Sequence, residues 1–214
     1  MVFVLAAYAV GLFLLRYSVQ RLVPARHQAL AMLTATGAVA LLSFVGWGGA
    51  YLNPFATQPI IGSIVLAITC VIVLSGVIST IWTANIAPLR AITRTVMLRI
   101  PFVTALSEEI LFRSVLLYVL LQVSSMPVAI LASAVLFGLW HVYEPANRHL
   151  PGHQKALKSA VDVLATCLAG GVFAWLTLMS GSIYASWLLH WLANSTGTLV
   201  VHRRRQKLAN NGAA

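Results

Sequence analysis

The stretch PFVTALSEEILFRSVLLYVLLQV, residues 101–123, decides the fold. A helix needs about 20 mostly apolar residues to cross about 30 Å of hydrocarbon, and this stretch has that length. It also carries Glu108, Glu109 and Arg113 in its interior. An ionisable side chain at mid-membrane costs about 2.5–3.5 kcal/mol on insertion scales, so three unpaired ones would cost about 8–10 kcal/mol. A helix that only anchored the chain would lose them, and the cluster therefore reads as a functional site. Its spacing divides the labour. Glu109 and Arg113 stand i,i+4 on one face and are predicted to pair. Glu108 points about 100° away and is left for chemistry.

The rest of the chain supplies the same apolar setting. Of 214 residues, 60% are hydrophobic and 8% are charged. Ordinary soluble domains run about 45–50% apolar and about 25% charged. With a mean hydropathy of +0.89, the chain is neither a soluble domain, a disordered segment nor a collagen-like repeat. Seven apolar segments stand out: Val2–Leu15, Ala29–Leu52, Ile60–Trp82, Pro101–Val123, Pro127–Tyr143, Ala160–Met179 and Ser182–Val201. The expectation is an all-α polytopic membrane protein with about seven transmembrane helices, its functional bundle formed by the last four. Residues 1–100 would hold the N-terminal helices and a basic interfacial segment, 101–201 the transmembrane core that carries the charged cluster, and 202–214 a basic tail.

The net charge is +10. In a soluble protein that would suggest nucleic acid as a partner. Here the basic residues report topology instead. Arg16, Arg21 and Arg26 follow the first segment, and Arg90, Arg94 and Arg99 precede the fourth. Arg148, Lys155 and Lys158 follow the fifth, and Arg203, Arg204, Arg205 and Lys207 follow the seventh. A seven-span chain with its N-terminus outside places all of these on one side, which the positive-inside rule makes cytoplasmic. The expected setting is a multi-pass protein of the plasma or inner membrane, with the lipid bilayer and no nucleic acid as partner. No positive residues precede the first apolar stretch, so it is expected to stay as a helix rather than act as a leader. Pro88–Ile100 reads as a short interfacial helix or a plain basic loop. Trp47, Tyr51, Trp82, Trp140 and Tyr143 fall near segment ends, as an aromatic belt would. Cys70 and Cys167 read as small core residues. Ser159 and Asp162 suggest a capping box that starts the sixth helix. Gly170 and Gly171 suggest a close helix approach or a kink. Trp187 and Trp191 would line the cavity or contact lipid.

Two further polar pairs lie in apolar helices. Phe137 and His141 are i,i+4 near the cytoplasmic end of the fifth segment, and His190 and Asn194 are i,i+4 within the seventh. Glu108 lies about seven residues past Pro101, roughly 10 Å in at 1.5 Å per residue. One cavity in the cytoplasmic half can therefore hold Glu108, His141 and His190. In such a cavity Glu108 can act as base and then acid, with His141 on the same water. His190 and Asn194 can donate to an oxyanion.

Together, E-E-x-x-x-R at Glu108–Arg113, F-x-x-x-H at Phe137–His141 and H-x-x-x-N at His190–Asn194 resemble the three motifs of the CPBP family. That family includes type II CAAX prenyl endopeptidases and bacteriocin-processing or abortive-infection membrane proteins. The resemblance covers 101–201, and the first hundred residues carry no motif. It implies an intramembrane endopeptidase in which Glu108 and His141 activate water and His190 with Asn194 forms the oxyanion hole. Glu109 and Arg113 would orient these groups, and Phe137 would pack beneath His141. The substrate would be a peptide or a lipidated, membrane-associated protein. No cofactor is expected. The alternative is Zn2+ on two His and a Glu. It is disfavoured because adjacent glutamates diverge on a helix and because no H-E-x-x-H stretch is present. Two other functions stay open at this point: a proton-coupled transporter, since Glu and His chains also relay protons, and a non-catalytic immunity or scaffold protein.

Overall fold

The computed structural model describes residues 2–47, 95–142 and 151–211. The predicted span Ile60–Trp82, with Cys70, and Tyr51, Arg90, Arg94, Tyr143 and Arg148 lie outside the described residues. Those that are described form helices and no strands. Helix α1 spans Val2–Leu22 and α2 spans Ala25–Trp47. Helix α3 is a composite rod over residues 95–121. Three more follow: α4 at Met126–Trp140, α5 at Gly152–Ser180 and α6 at Ile183–Asn211.

The distribution of side chains is inverted relative to a water-soluble protein. On α4 the apolar residues Val128, Leu131, Val135 and Leu139 form an exposed stripe at helical spacing. Leu157, Val161, Leu164, Leu168, Val172 and Trp175 do the same on α5. Inside lie Ser107, Glu108, Glu109, Arg113, Ser133, Thr177, Ser186 and His190. Outward apolar stripes around a polar interior suit a lipid environment, where polar groups face the bundle. Among the described residues, Gly152–Ser180 is the one helix long and apolar enough to cross a membrane. Met126–Trp140 is apolar but shorter. The charged cluster in α3 and the polar residues of α6 lower the hydropathy of the helices that carry them.

Several predicted boundaries move. Helix α1 runs past the apolar segment to Leu22 and so carries Arg16 and Arg21 within it. Helix α5 begins at Gly152, which places Ser159 and Asp162 inside it rather than at a capping box. Asp162 instead pairs with Lys158 at 2.9 Å across one exposed turn. The described part of the predicted interfacial segment, Thr95–Ile100, is helical and runs directly into α3. Cys167 is half-buried on α5, against Gly138 of α4. Small residues bring these two helices together. A Cβ at Gly170 would lie 2.9 Å from the Phe137 ring and 3.3 Å from the Ala134 backbone, so the close approach expected at Gly170 is observed. Gly181 ends α5 at φ 69°, a left-handed position that glycine takes without a Cβ clash.

The winding of the first part of α3 accommodates its proline. Thr95–Ala105 and Ile110–Leu117 form wide turns with i→i+5 hydrogen bonds, while Leu106–Glu109 and Tyr118–Leu121 keep α geometry. In a regular α-helix the ring of Pro101 would clash with the carbonyl four residues back. The wide turn relieves that clash, and Pro101 still offers no N–H to the carbonyl five residues back, which is Val96. Trp191 of α6 fills the gap, its Nε1 donating to the Val96 carbonyl at 2.8 Å. Trp187 donates to the Pro101 carbonyl at 2.7 Å. These two indoles therefore fasten α6 to the N-terminal half of α3. Replacing Trp191 with Phe keeps the ring and orphans the Val96 carbonyl. The expected loss of unfolding free energy is about 1–3 kcal/mol. Denaturant unfolding of the purified protein in detergent checks it, and an unchanged midpoint would contradict it.

Candidate active site

Glu108 and Glu109 occupy the short α turn Leu106–Glu109 between the two wide-turned stretches of α3. Glu109 and Arg113 are 0% exposed and Glu108 is 6% exposed, so the whole cluster lies inside the bundle. Arg113 Nε sits 3.3 Å from Glu109 Oε2, the pairing read from their spacing. Its Nη2 donates to the Gly170 carbonyl of α5 at 3.2 Å. The guanidinium also rests 4.2 Å above the centre of the Phe137 ring. One arginine thus ties α3 to α4 and α5, and an approach as close as that at Gly170 makes it possible.

His190 of α6 bridges both glutamates. Its Nδ1 lies 2.9 Å from Glu109 Oε1, and its Nε2 lies 3.6 Å from Glu108 Oε2. The ring stacks on Phe173 with centroids 4.9 Å apart, and Phe137 meets it edge-on at 5.7 Å. A carboxylate only accepts, so Nδ1 is the donor to Glu109 when Glu109 is ionised. The divergence expected of adjacent glutamates holds along the helix, yet both carboxylates reach opposite nitrogens of one imidazole.

His141 caps the C-terminal end of α4. Its Nδ1 lies 2.9 Å from the Phe137 carbonyl one turn back. A carbonyl cannot donate, so Nδ1 carries the proton, and Nε2 of the neutral ring presents a lone pair. That Nε2 points at Glu108 Oε2 from 3.7 Å. Phe137 packs edge-on against the same ring at 4.9 Å, so it supports His141, His190 and Arg113 together.

The other oxygen of Glu108 is held differently. Trp140 Nε1 donates to Oε1 at 3.1 Å, and Arg16 Nη1 approaches the same oxygen to 3.7 Å. Trp140 is 1% exposed, so it belongs to the core and not to the aromatic belt expected of it. Oε2 is buried and, among the described residues, takes no hydrogen bond from the protein.

A cavity of about 930 Å³ opens onto Glu108 and His141. Asn194 lines it, half-buried, as do Arg16 and Gln20 of α1, Gln28 and Met32 of α2 and Arg99 of α3. His190 is buried behind Glu108. The three motif helices therefore bring Glu108, Glu109, His141 and His190 into one cluster, with Asn194 on the wall of the adjoining cavity. Sequence reasoning missed Arg16, Trp140 and Phe173. Arg16 carried a signal of topology only, and Trp140 carried its signal through adjacency to His141. Among the described residues, no three His, Cys, Asp or Glu side chains are arranged to hold a metal ion.

Comparison with known proteins places the chain in a family. The sequence model of the Rce1-like type II CAAX prenyl endopeptidases matches residues 90–196, half of the chain. No curated protein and no solved structure matches the chain. The matched region takes in all three motifs and leaves out α1 and α2. It agrees with the resemblance read from Glu108–Arg113, Phe137–His141 and His190–Asn194, and the chain belongs to the Rce1-like family of type II CAAX prenyl endopeptidases.

Proposed function

We propose that the chain is an intramembrane endopeptidase that hydrolyses a peptide bond in a peptide or a lipidated, membrane-associated protein segment near the cytoplasmic face. Its setting is a multi-pass helical bundle of about seven spans, with the N-terminus outside and the C-terminus cytoplasmic. One observation carries the reading. Glu108 Oε2 is buried, free of protein hydrogen bonds among the described residues, and faces the Nε2 atoms of His141 and His190 at 3.7 and 3.6 Å. Lone pairs from a carboxylate and a neutral imidazole repel unless a proton lies between them, and a water molecule supplies one.

The chemistry follows from that arrangement. A water held between Glu108 Oε2 and His141 Nε2 gives a proton to Glu108 as its oxygen bonds to the carbonyl carbon. The carbonyl oxygen becomes an oxyanion, and the Asn194 amide on the cavity wall can donate to it. His190 can donate as well when both of its nitrogens carry protons, Nδ1–H being held by Glu109. Glu108 then returns the proton to the amine as the C–N bond breaks. Glu109, Arg113 and Phe137 keep the imidazoles in position. This sequence of steps uses no metal.

Purified protein in liposomes, given an internally quenched farnesylated CAAX peptide, tests the reading. Glu108→Gln and Glu108→Ala are expected to insert normally and to lower cleavage by about 10²–10⁴-fold, the usual contribution of a general base. Cleavage retained by both variants would contradict the assignment. Strong chelators are expected to leave the wild-type rate unchanged. A rate that falls with chelator and returns with Zn2+ would favour zinc chemistry instead.

A further inference from the structure

The matched region begins at residue 90, yet a residue far upstream of it touches the proposed base. Helix α1 docks on the core along one face. The Tyr8 hydroxyl donates to the Leu111 carbonyl of α3 at 3.0 Å. Leu12 enters the hydrophobic core, and Phe13 packs edge-on against Trp140 with centroids 6.3 Å apart. One turn further on, Arg16 reaches Glu108 Oε1 at 3.7 Å, and its guanidinium lies 4.6 Å over the Trp140 ring. Trp140 in turn donates its Nε1 to that same oxygen at 3.1 Å.

Charge balance explains why a second arginine is present. Helix α3 buries two adjacent carboxylates but only one cation, Arg113, which is engaged with Glu109, while its other arginine, Arg99, is exposed. A buried carboxylate without a compensating partner is strongly destabilising. The missing cation for Glu108 comes from α1. Its Nη1 approaches Oε1, the oxygen that Trp140 also holds, which restrains rotation of the carboxylate and leaves Oε2 aimed at the two imidazoles.

We propose that Arg16 is a positioning residue for Glu108. Together with Trp140 it fixes Oε1 and so selects Oε2 as the oxygen that meets the water and the two imidazoles. The inference rests on the hydrolytic reading above and adds to it that the base is set by a helix outside the family-matched region. The same two N-terminal helices form one wall of the cavity through Gln20, Gln28 and Met32.

Two readouts test it. The first is the infrared carboxylate band of Glu108, identified by its loss in Glu108→Gln. It is expected to shift in Arg16→Met, to move back toward the wild-type position in Arg16→Lys and to stay in place in Tyr8→Phe, which loosens α1 without touching Glu108. The second is cleavage of the quenched farnesylated CAAX peptide. Arg16→Met is expected to lower kcat by about 10- to 100-fold, the usual effect of a misplaced catalytic group. KM should change by less than about twofold, and Arg16→Lys should recover part of the rate. An unchanged band with an unchanged kcat in Arg16→Met would overturn the inference. So would a loss that Arg16→Lys fails to recover, or one that Tyr8→Phe reproduces. If Glu108→Gln cleaves like the wild type, the hydrolytic reading itself fails. If Glu108→Gln is inactive while Arg16→Met is indistinguishable from the wild type, only the role of Arg16 fails.

Discussion

Two adjacent carboxylates buried in one helix turn are the constraint that organises this molecule. Neither Glu108 nor Glu109 can stay ionised inside an apolar bundle without its own compensating charge and hydrogen bonds. Arg113 meets Glu109 from one turn away, and Arg16 meets Glu108 from another helix. His190 joins the two sides through its opposite nitrogens. Satisfying these groups fixes where four other helices must sit. Helix α1 must bring Arg16, α4 must bring Trp140 and His141, α5 must offer the Gly170 carbonyl to Arg113, and α6 must bring His190.

The packing around the cluster is aromatic for a physical reason. Phe137 contacts Arg113 through its face and meets both imidazoles edge-on, while Phe173 stacks on His190. Aromatic faces accept a cation and exclude water at the same time. The cluster therefore keeps its geometry while Glu108 and His141 remain open to the cavity. Around it, the exposed apolar stripes of α4 and α5 complete the inside-out pattern of a membrane protein.

Much of this was legible in the sequence because local spacing determines it. The i,i+4 step from Glu109 to Arg113 is a contact of one helix with itself, and the cost of burying charge singled out the segment before any geometry was known. The close approach at Gly170 followed from the absence of a side chain. Other features had no local signal. Arg16 looks like any basic residue after an apolar stretch, and its pairing with Glu108 depends on how α1 docks. Trp140 looks like a membrane-interface tryptophan until the carboxylate beneath it is located. The wide turns of α3 shift the phase on which an α-helical reading relies. Trp187 and Trp191 donate to backbone carbonyls of another helix, which spacing along α6 alone does not show. The start of α5 was misplaced because Ser159 and Asp162 match a capping pattern that the helix, already running from Gly152, does not need.

The central claim is that one oxygen of Glu108 faces two imidazoles while the other is held by Trp140 and Arg16. A high-resolution structure of the chain in lipid nanodiscs tests this most directly. The account predicts Glu108 Oε2 at about 3.7 Å from the Nε2 atoms of both His141 and His190, with Glu109 on the Nδ1 of His190. A structure in which either imidazole turns toward lipid, or in which Glu109 leaves His190, would contradict it.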